Sequence, residues 1–118
     1  EPKSSGSENT YSQDLTDINE IRMEIDGMAR DAAEWLERKQ LFCRTVTIKV
    51  RYSDFTTITR SHSRSPATRD SEDIAQRAVK LLERTDAASR PVRLLGVSVH
   101  NLEDPAAPFD PEEPLLPF

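Results

Sequence analysis

The chain has 118 residues, 16 cations against 21 acids for a formal net charge of −5, and one cysteine. That length suits a single domain with its own core, and a lone Cys43 excludes an internal disulfide. No apolar run approaches the roughly 18 residues of a membrane span, and the opening EPKSSGSENTYSQ lacks the basic and apolar regions of a signal peptide, so the expectation is a soluble, cytoplasmic protein with a reduced, structural thiol.

The first six residues read as an incoming linker, and the chain becomes extended around Ser7 to Tyr11, where a short strand fits. From Asp14 the apolar positions Ile18, Ile21, Ile25, Met28, Ala32 and Trp35 recur every three or four residues, one stripe of an α-helix. Thr16 or Asp17 can cap it and Arg38 and Lys39 complement its C-terminal dipole, so the helix should run about 23 residues, or roughly 35 Å.

Phe42 to Arg64 then changes to a period of two. Val46, Ile48, Val50 and Tyr52 point one way, and Thr45, Thr47, Lys49 and Arg51 the other. Phe42 to Tyr52 and Thr56 to Arg64 form two strands joined at Ser53-Asp54, a turn-prone pair, and Ser65-Pro66 ends the hairpin. Asp70 or Ser71 opens a second helix with Glu72 and Asp73 in its first turn and Ile74, Ala78, Leu81 and Leu82 as its apolar face. After Pro91, Val92 to Leu102 is a last strand, with Leu95, Val97 and Val99 on one side and Gly96, Ser98 and His100 on the other. Residues 103–118 hold five of the eight prolines, five acids and no cation, the composition of an extended or flexible tail.

The order β-α-β-β-α-β with two amphipathic helices predicts an α+β, two-layer sandwich: a four-stranded sheet with both helices on one face and the other face open. The domain proper is placed at 7–102. Residues 42–64 carry five cations and one acid, whereas 1–41 carry five cations and ten acids, so positive charge is concentrated where a sheet can array it. An open face with Lys49, Arg51, Arg60, His62 and Arg64 among hydroxyls suits phosphate oxygens. No aromatic side chain has outward parity on either long strand, which disfavours stacking of unpaired bases and leaves duplex backbone as the nucleic-acid ligand. Charged sheet faces also serve solubility alone. Gly96 permits close approach of a ligand, or serves packing or a bulge. His62 and His100 have no Cys or carboxylate partner at metal-ligand spacing, and neither a Gly-rich phosphate loop nor a nucleophile triad is present. The residues alone describe a binding module without a catalytic constellation.

The run RTVTIKVRYSDFTTITRSHSRS, followed after a helix by RLLGVSV and preceded by KSSGSENTYSQDL, resembles the C-terminal little-finger domain of Y-family translesion DNA polymerases, especially the bacterial DNA polymerase IV group. The three motifs span about Lys3 to Leu102. The resemblance implies an open sheet face lying along the major groove of primer–template duplex and gripping its backbone without reading bases. Carried over by position, it implies phosphate contacts from Lys49, Arg51, Thr59, Arg60, Ser61, His62 and Ser98, with Ser7 and Arg64 beside them and backbone N–H groups near Ser61 and Gly96. It implies no cofactor in this chain: the Mg2+ ions and catalytic carboxylates of the family lie in a palm domain, so this chain would be a non-catalytic part of a bacterial, nucleoid-associated enzyme. Family members often end in a peptide, roughly Gln-Leu-x-Leu-x-Phe, that enters a pocket of the sliding clamp. The final hexamer matches it at Leu116 and Phe118 but has Glu113 for Gln and Pro114 for Leu; Glu113, Leu115, Leu116 and Phe118 are the clamp-binding candidates, against a terminus with no partner. The competing class is a protein-interaction module whose basic sheet receives an acidic protein and has no DNA affinity.

Overall fold

The computed structural model describes residues 5–105, which run β1 (Ser5–Leu15), α1 (Ile18–Lys39), β2 (Phe42–Tyr52), β3 (Thr57–Thr68), α2 (Ser71–Leu81), a 3-10 turn (Leu82–Arg84) and β4 (Val92–Glu103). The strands form one sheet in the order β1-β4-β2-β3, with every neighbouring pair antiparallel. The last strand therefore inserts between the first two, and β1 and β3 are the edges. The expected α+β sandwich is the fold observed. The tail residues Glu113, Leu115, Leu116 and Phe118 lie outside the described residues.

α1 starts where Asp17 accepts the Asn19 N–H at 2.9 Å and ends on Gln40, whose left-handed backbone returns its N–H to Glu37. Its buried stripe runs Ile21, Ile25, Met28, Ala32 and then Leu36. Trp35, expected to close that stripe, is only partly buried at its margin. A strict 3,4,3,4 spacing falls behind a 3.6-residue helix by about 20° per heptad, so the contact passes to the next residue. α2 is capped by Asp70, which accepts the Asp73 N–H, and buries Ile74, Ala78 and Leu81 as expected. Both helices pack on the face of the sheet that presents Val46, Ile48, Val50, Tyr52, Leu95, Val97 and Val99, and these residues form one apolar core.

Both edge strands are longer than the sequence suggests. β1 has 11 residues rather than a short segment; it pairs with β4 from Ser5 to Thr10, breaks register, and rejoins at Leu15, which is buried. Its solvent-facing composition hides it, because an edge strand needs little apolar alternation. β3 continues through the cis Ser65–Pro66 bond to Thr68. Proline is tolerated there because an edge strand leaves one row of N–H groups without a ladder partner. The connection between β2 and β3 is also longer than a two-residue turn. It comprises residues 53–56, closed by Tyr52 N–H to Thr56 O and by Asp54 accepting the Thr56 N–H.

Candidate nucleic-acid interface

In antiparallel pairs, directly opposed residues share a face of the sheet, so the register assigns every side chain of the open face. One row reads Thr10, Leu94, Arg51, Thr57; the next Glu8, Gly96, Lys49, Thr59; the third Gly6, Ser98, Thr47, Ser61; and the fourth, without β1, His100, Thr45, Ser63. The surface is a hydroxyl comb with Lys49 and Arg51 near its centre. Thr47 and Ser61 share a hydrogen bond of 2.7 Å, as do Thr45 and Ser63 and, within β4, Ser98 and His100. Arg51 donates from Nε to the Thr57 hydroxyl at 2.8 Å. Thr45 is outward as expected but buried, because Ser63 and the Asn101 amide close over it.

The sequence candidates divide between the two faces. Lys49, Arg51, Thr59, Ser61, Gly96 and Ser98 come together on the open face. Arg60 and His62 do not join them: they oppose Ile48 and Val46, which puts them on the helix side of β3. There Arg60 donates to the Arg84 carbonyl at 3.0 Å, and His62 accepts from Arg77 at 3.1 Å. Arg64 lies in the register break between the Thr45–Ser63 and Cys43–Thr68 pairs and forms an ion pair with Asp73 of α2. Ser7 opposes Val97, also on the helix side, at the β1 edge. The expectation of one face holding Lys49, Arg51, Arg60, His62 and Arg64 is therefore corrected to two separate groups. The physical reason is the hairpin register. Val50 opposes Ile58, so Ile58, Arg60 and His62 share inward parity, and because β3 is an edge strand its inward side chains reach past the helices to solvent. Ile58, the one large apolar residue of β3, carried that signal.

Sequence reasoning missed Glu8 and Ser63, which the register brings onto the open face beside Thr47 and His100, both read as outward but not counted as contacts. Glu8 Oε2 lies 2.8 Å from Lys49 Nζ, and the pair flanks Gly96 from either side. A Cβ on Gly96 would stand 3.0 Å from Glu8 Cγ and 3.2 Å from the Ser7 carbonyl, so the glycine is needed for packing within the sheet surface. Around it is a shallow hollow of about 490 Å³ lined by Glu8, Lys49, Thr59, Ser98 and His100. With two cations, an imidazole and paired hydroxyls, the face can donate hydrogen bonds to anionic oxygens spaced along a strand direction. Tyr52, of inward parity as expected, is buried and accepts the Asp86 N–H at 2.8 Å, so no aromatic ring stands in the four rows.

Away from this face, Cys43 is fully enclosed, and burial pushes its thiol up to about 11. Among the described residues no group of three or more His, Cys, Asp or Glu is placed to hold a metal, and no helix is long and apolar enough to cross a membrane.

Comparison with known proteins gives consistent matches. The impB/mucB/samB family C-terminal domain matches residues 2–110. DNA polymerase IV of Halorhodospira halophila is 43% identical over 101 residues, 86% of this chain but 28% of that protein. DNA polymerase IV 2 of Agrobacterium fabrum is 35% identical over 114 residues, 97% of this chain and 32% of its own length. The chain thus spans under a third of the curated relatives it matches. Among solved structures, the complex of the beta-clamp processivity factor and the little finger domain of PolIV aligns with a TM-score of 0.67 at 23% identity, covering 91% of this chain and 95% of that one. A post-insertion binary complex of Dbh DNA polymerase aligns with a TM-score of 0.71 at 16% identity, covering 86% of this chain and 29% of that one. At these identities the structural likeness establishes the fold.

Proposed function

The chain belongs to the impB/mucB/samB C-terminal domain family, and from that membership we propose that it is the DNA-holding, non-catalytic little-finger domain of a bacterial translesion polymerase of the polymerase IV kind. The parent enzyme acts on primer–template DNA in the cell's nucleoid and carries out nucleotidyl transfer with Mg2+ in a palm domain that lies outside this chain.

The observation that carries the reading is the open face itself. Lys49 and Arg51 stand on adjacent rows, flanked by the hydroxyls of Thr57, Thr59, Ser61 and Ser98. Cations and hydroxyls bind phosphate oxygens without reading bases, and the absence of a ring on the four rows fits duplex better than unpaired strands. Lys49, Arg51, Thr59, Ser61 and Ser98 are the proposed contacts; the backbone at Gly96 is reached only when the Glu8–Lys49 pair above it opens. Arg60, His62 and Arg64 line the β3 edge and meet a phosphate only where the duplex overhangs that edge; Ser7 does the same at β1. The expected tail boundary moves by one residue, because Glu103 ends β4 and pairs with Phe42, and residues 104–118 are proposed as a recruiting tail whose Glu113, Leu115, Leu116 and Phe118 enter the sliding clamp. The clamp-bound PolIV little finger of similar fold supports this assignment.

Titrating the 118-residue chain against labelled duplexes of unrelated sequence tests the reading. Lys49→Ala combined with Arg51→Ala should weaken binding to every duplex by about tenfold or more and flatten the dependence of log affinity on log salt by about 1 to 2. Unchanged affinity and slope would remove the open face as the DNA site.

A further inference from the structure

Of all outward residues in the four paired rows, Glu8 is the one acid. It is positioned against the central cation of the face: Glu8 and Lys49 both oppose Gly96, one from each neighbouring strand, and the missing side chain lets their ends meet at 2.8 Å above the glycine. Any Cβ at position 96 would occupy that path, 3.0 Å from Glu8 Cγ and 3.6 Å from Lys49 Cβ. Both partners are partly solvent-exposed, at 49% and 34%, so the pair can open without unpacking the core. An exposed ion pair is weak, which makes it exchangeable for another anion.

Building on the proposed DNA site, we propose that Glu8 is a resident competitor for the backbone phosphate that Lys49 takes, and so sets how tightly the open face holds duplex. A phosphate oxygen reaching Lys49 Nζ replaces the Glu8 carboxylate, and the freed carboxylate remains beside a polyanion. Both effects oppose binding by the domain alone. Within a polymerase, tethering raises the effective DNA concentration and offsets that opposition, so the acid suppresses capture of duplex by the untethered face.

The test is a double-mutant cycle on the 118-residue chain with labelled duplex at two salt concentrations. Glu8→Gln keeps the side chain's size and removes its charge. It should tighten duplex binding by about 3- to 10-fold at low salt and steepen the salt dependence by up to about 1, since Lys49 then exchanges solution anions rather than its own carboxylate. In a Lys49→Ala background the gain should shrink to the small repulsion that one exposed carboxylate exerts on a polyanion. Weaker or unchanged binding by Glu8→Gln, while Lys49→Ala/Arg51→Ala still loses affinity, would overturn the competitor role alone and make Glu8 an orienting partner. A gain of undiminished size without Lys49 would overturn it too, as an effect of net charge. If Lys49→Ala/Arg51→Ala binds like the parent, the DNA reading falls and this inference with it.

Discussion

Lys49 and Arg51 on one side of the hairpin, and Arg60, His62 and Arg64 on the other, come from one segment with one charge pattern, yet they are held in different ways. On the helix side, Arg60 is tied to two backbone carbonyls, His62 to the buried Arg77, and Arg64 to Asp73. These contacts fasten the edge strand to α2 and to the 3-10 turn. On the open side, Lys49 and Arg51 have one exposed carboxylate and one hydroxyl as partners. A phosphate can replace either without unfolding anything. The same residue types are therefore fasteners where the fold supplies carbonyls and, in the proposed reading, anion receptors where it does not.

The strongest way to break this contrast is to remove the centre of the helix-side group. Arg77 is 7% exposed and donates to the Arg44 and His62 carbonyls at 2.8 and 2.9 Å and to the His62 ring. Arg77→Ala strands two carbonyls in a partly buried seam and should cost about 3 kcal/mol, read from urea unfolding. Duplex affinity of the folded fraction should hardly change. A variant as stable as the parent would mean that the helix-side cations are not fasteners.

Gly96→Ala tests the opposite face. The added Cβ meets the Ser7 carbonyl at 3.2 Å, and backbone cannot swing aside as a side chain can. Overpacking of this kind costs roughly 1–3 kcal/mol, and the strain falls on β1, so hydrogen exchange at residues 5–10 should accelerate more than in β2. Uniform acceleration across the sheet would show that the glycine serves general packing rather than the junction of β1 with β4.

Parity explains how far the sequence could be read. α1, α2, their Asp17 and Asp70 caps, and β2 with its buried Val46, Ile48, Val50 and Tyr52 were legible because periodicity within one element determines them. The assignment of Arg60 and His62 was not, because it depends on pairing between two strands, and a shift of one residue moves every side chain to the other face. Glu8 was hidden for the same reason: its neighbour Lys49 lies 41 residues away, with β4 between them. Charge patterning put the candidate site within the hairpin, and only the register divided its residues between the two faces.

The register is in turn fixed by the β2–β3 loop, where the smallest effect is expected. Asp54 accepts the Thr56 N–H and pairs with Arg90 at 2.9 Å, and the Thr56 hydrogen bond, followed by Arg90, holds its carboxyl below the ordinary value of 3.8. A carboxyl whose folded value is depressed contributes stability that is present above the unfolded value and lost as pH falls through the folded one. Asp54→Asn keeps an acceptor for Thr56 but drops the charge. The urea midpoint of the parent should exceed that of the variant slightly at pH 7, and the gap should close as pH falls below 3.8 and through the depressed folded value. If the gap persists in acid, the charge on Asp54 is not what secures the turn. Its hydrogen-bond geometry would then be what keeps Val50 opposite Ile58, and with it Lys49 and Arg60 on opposite faces.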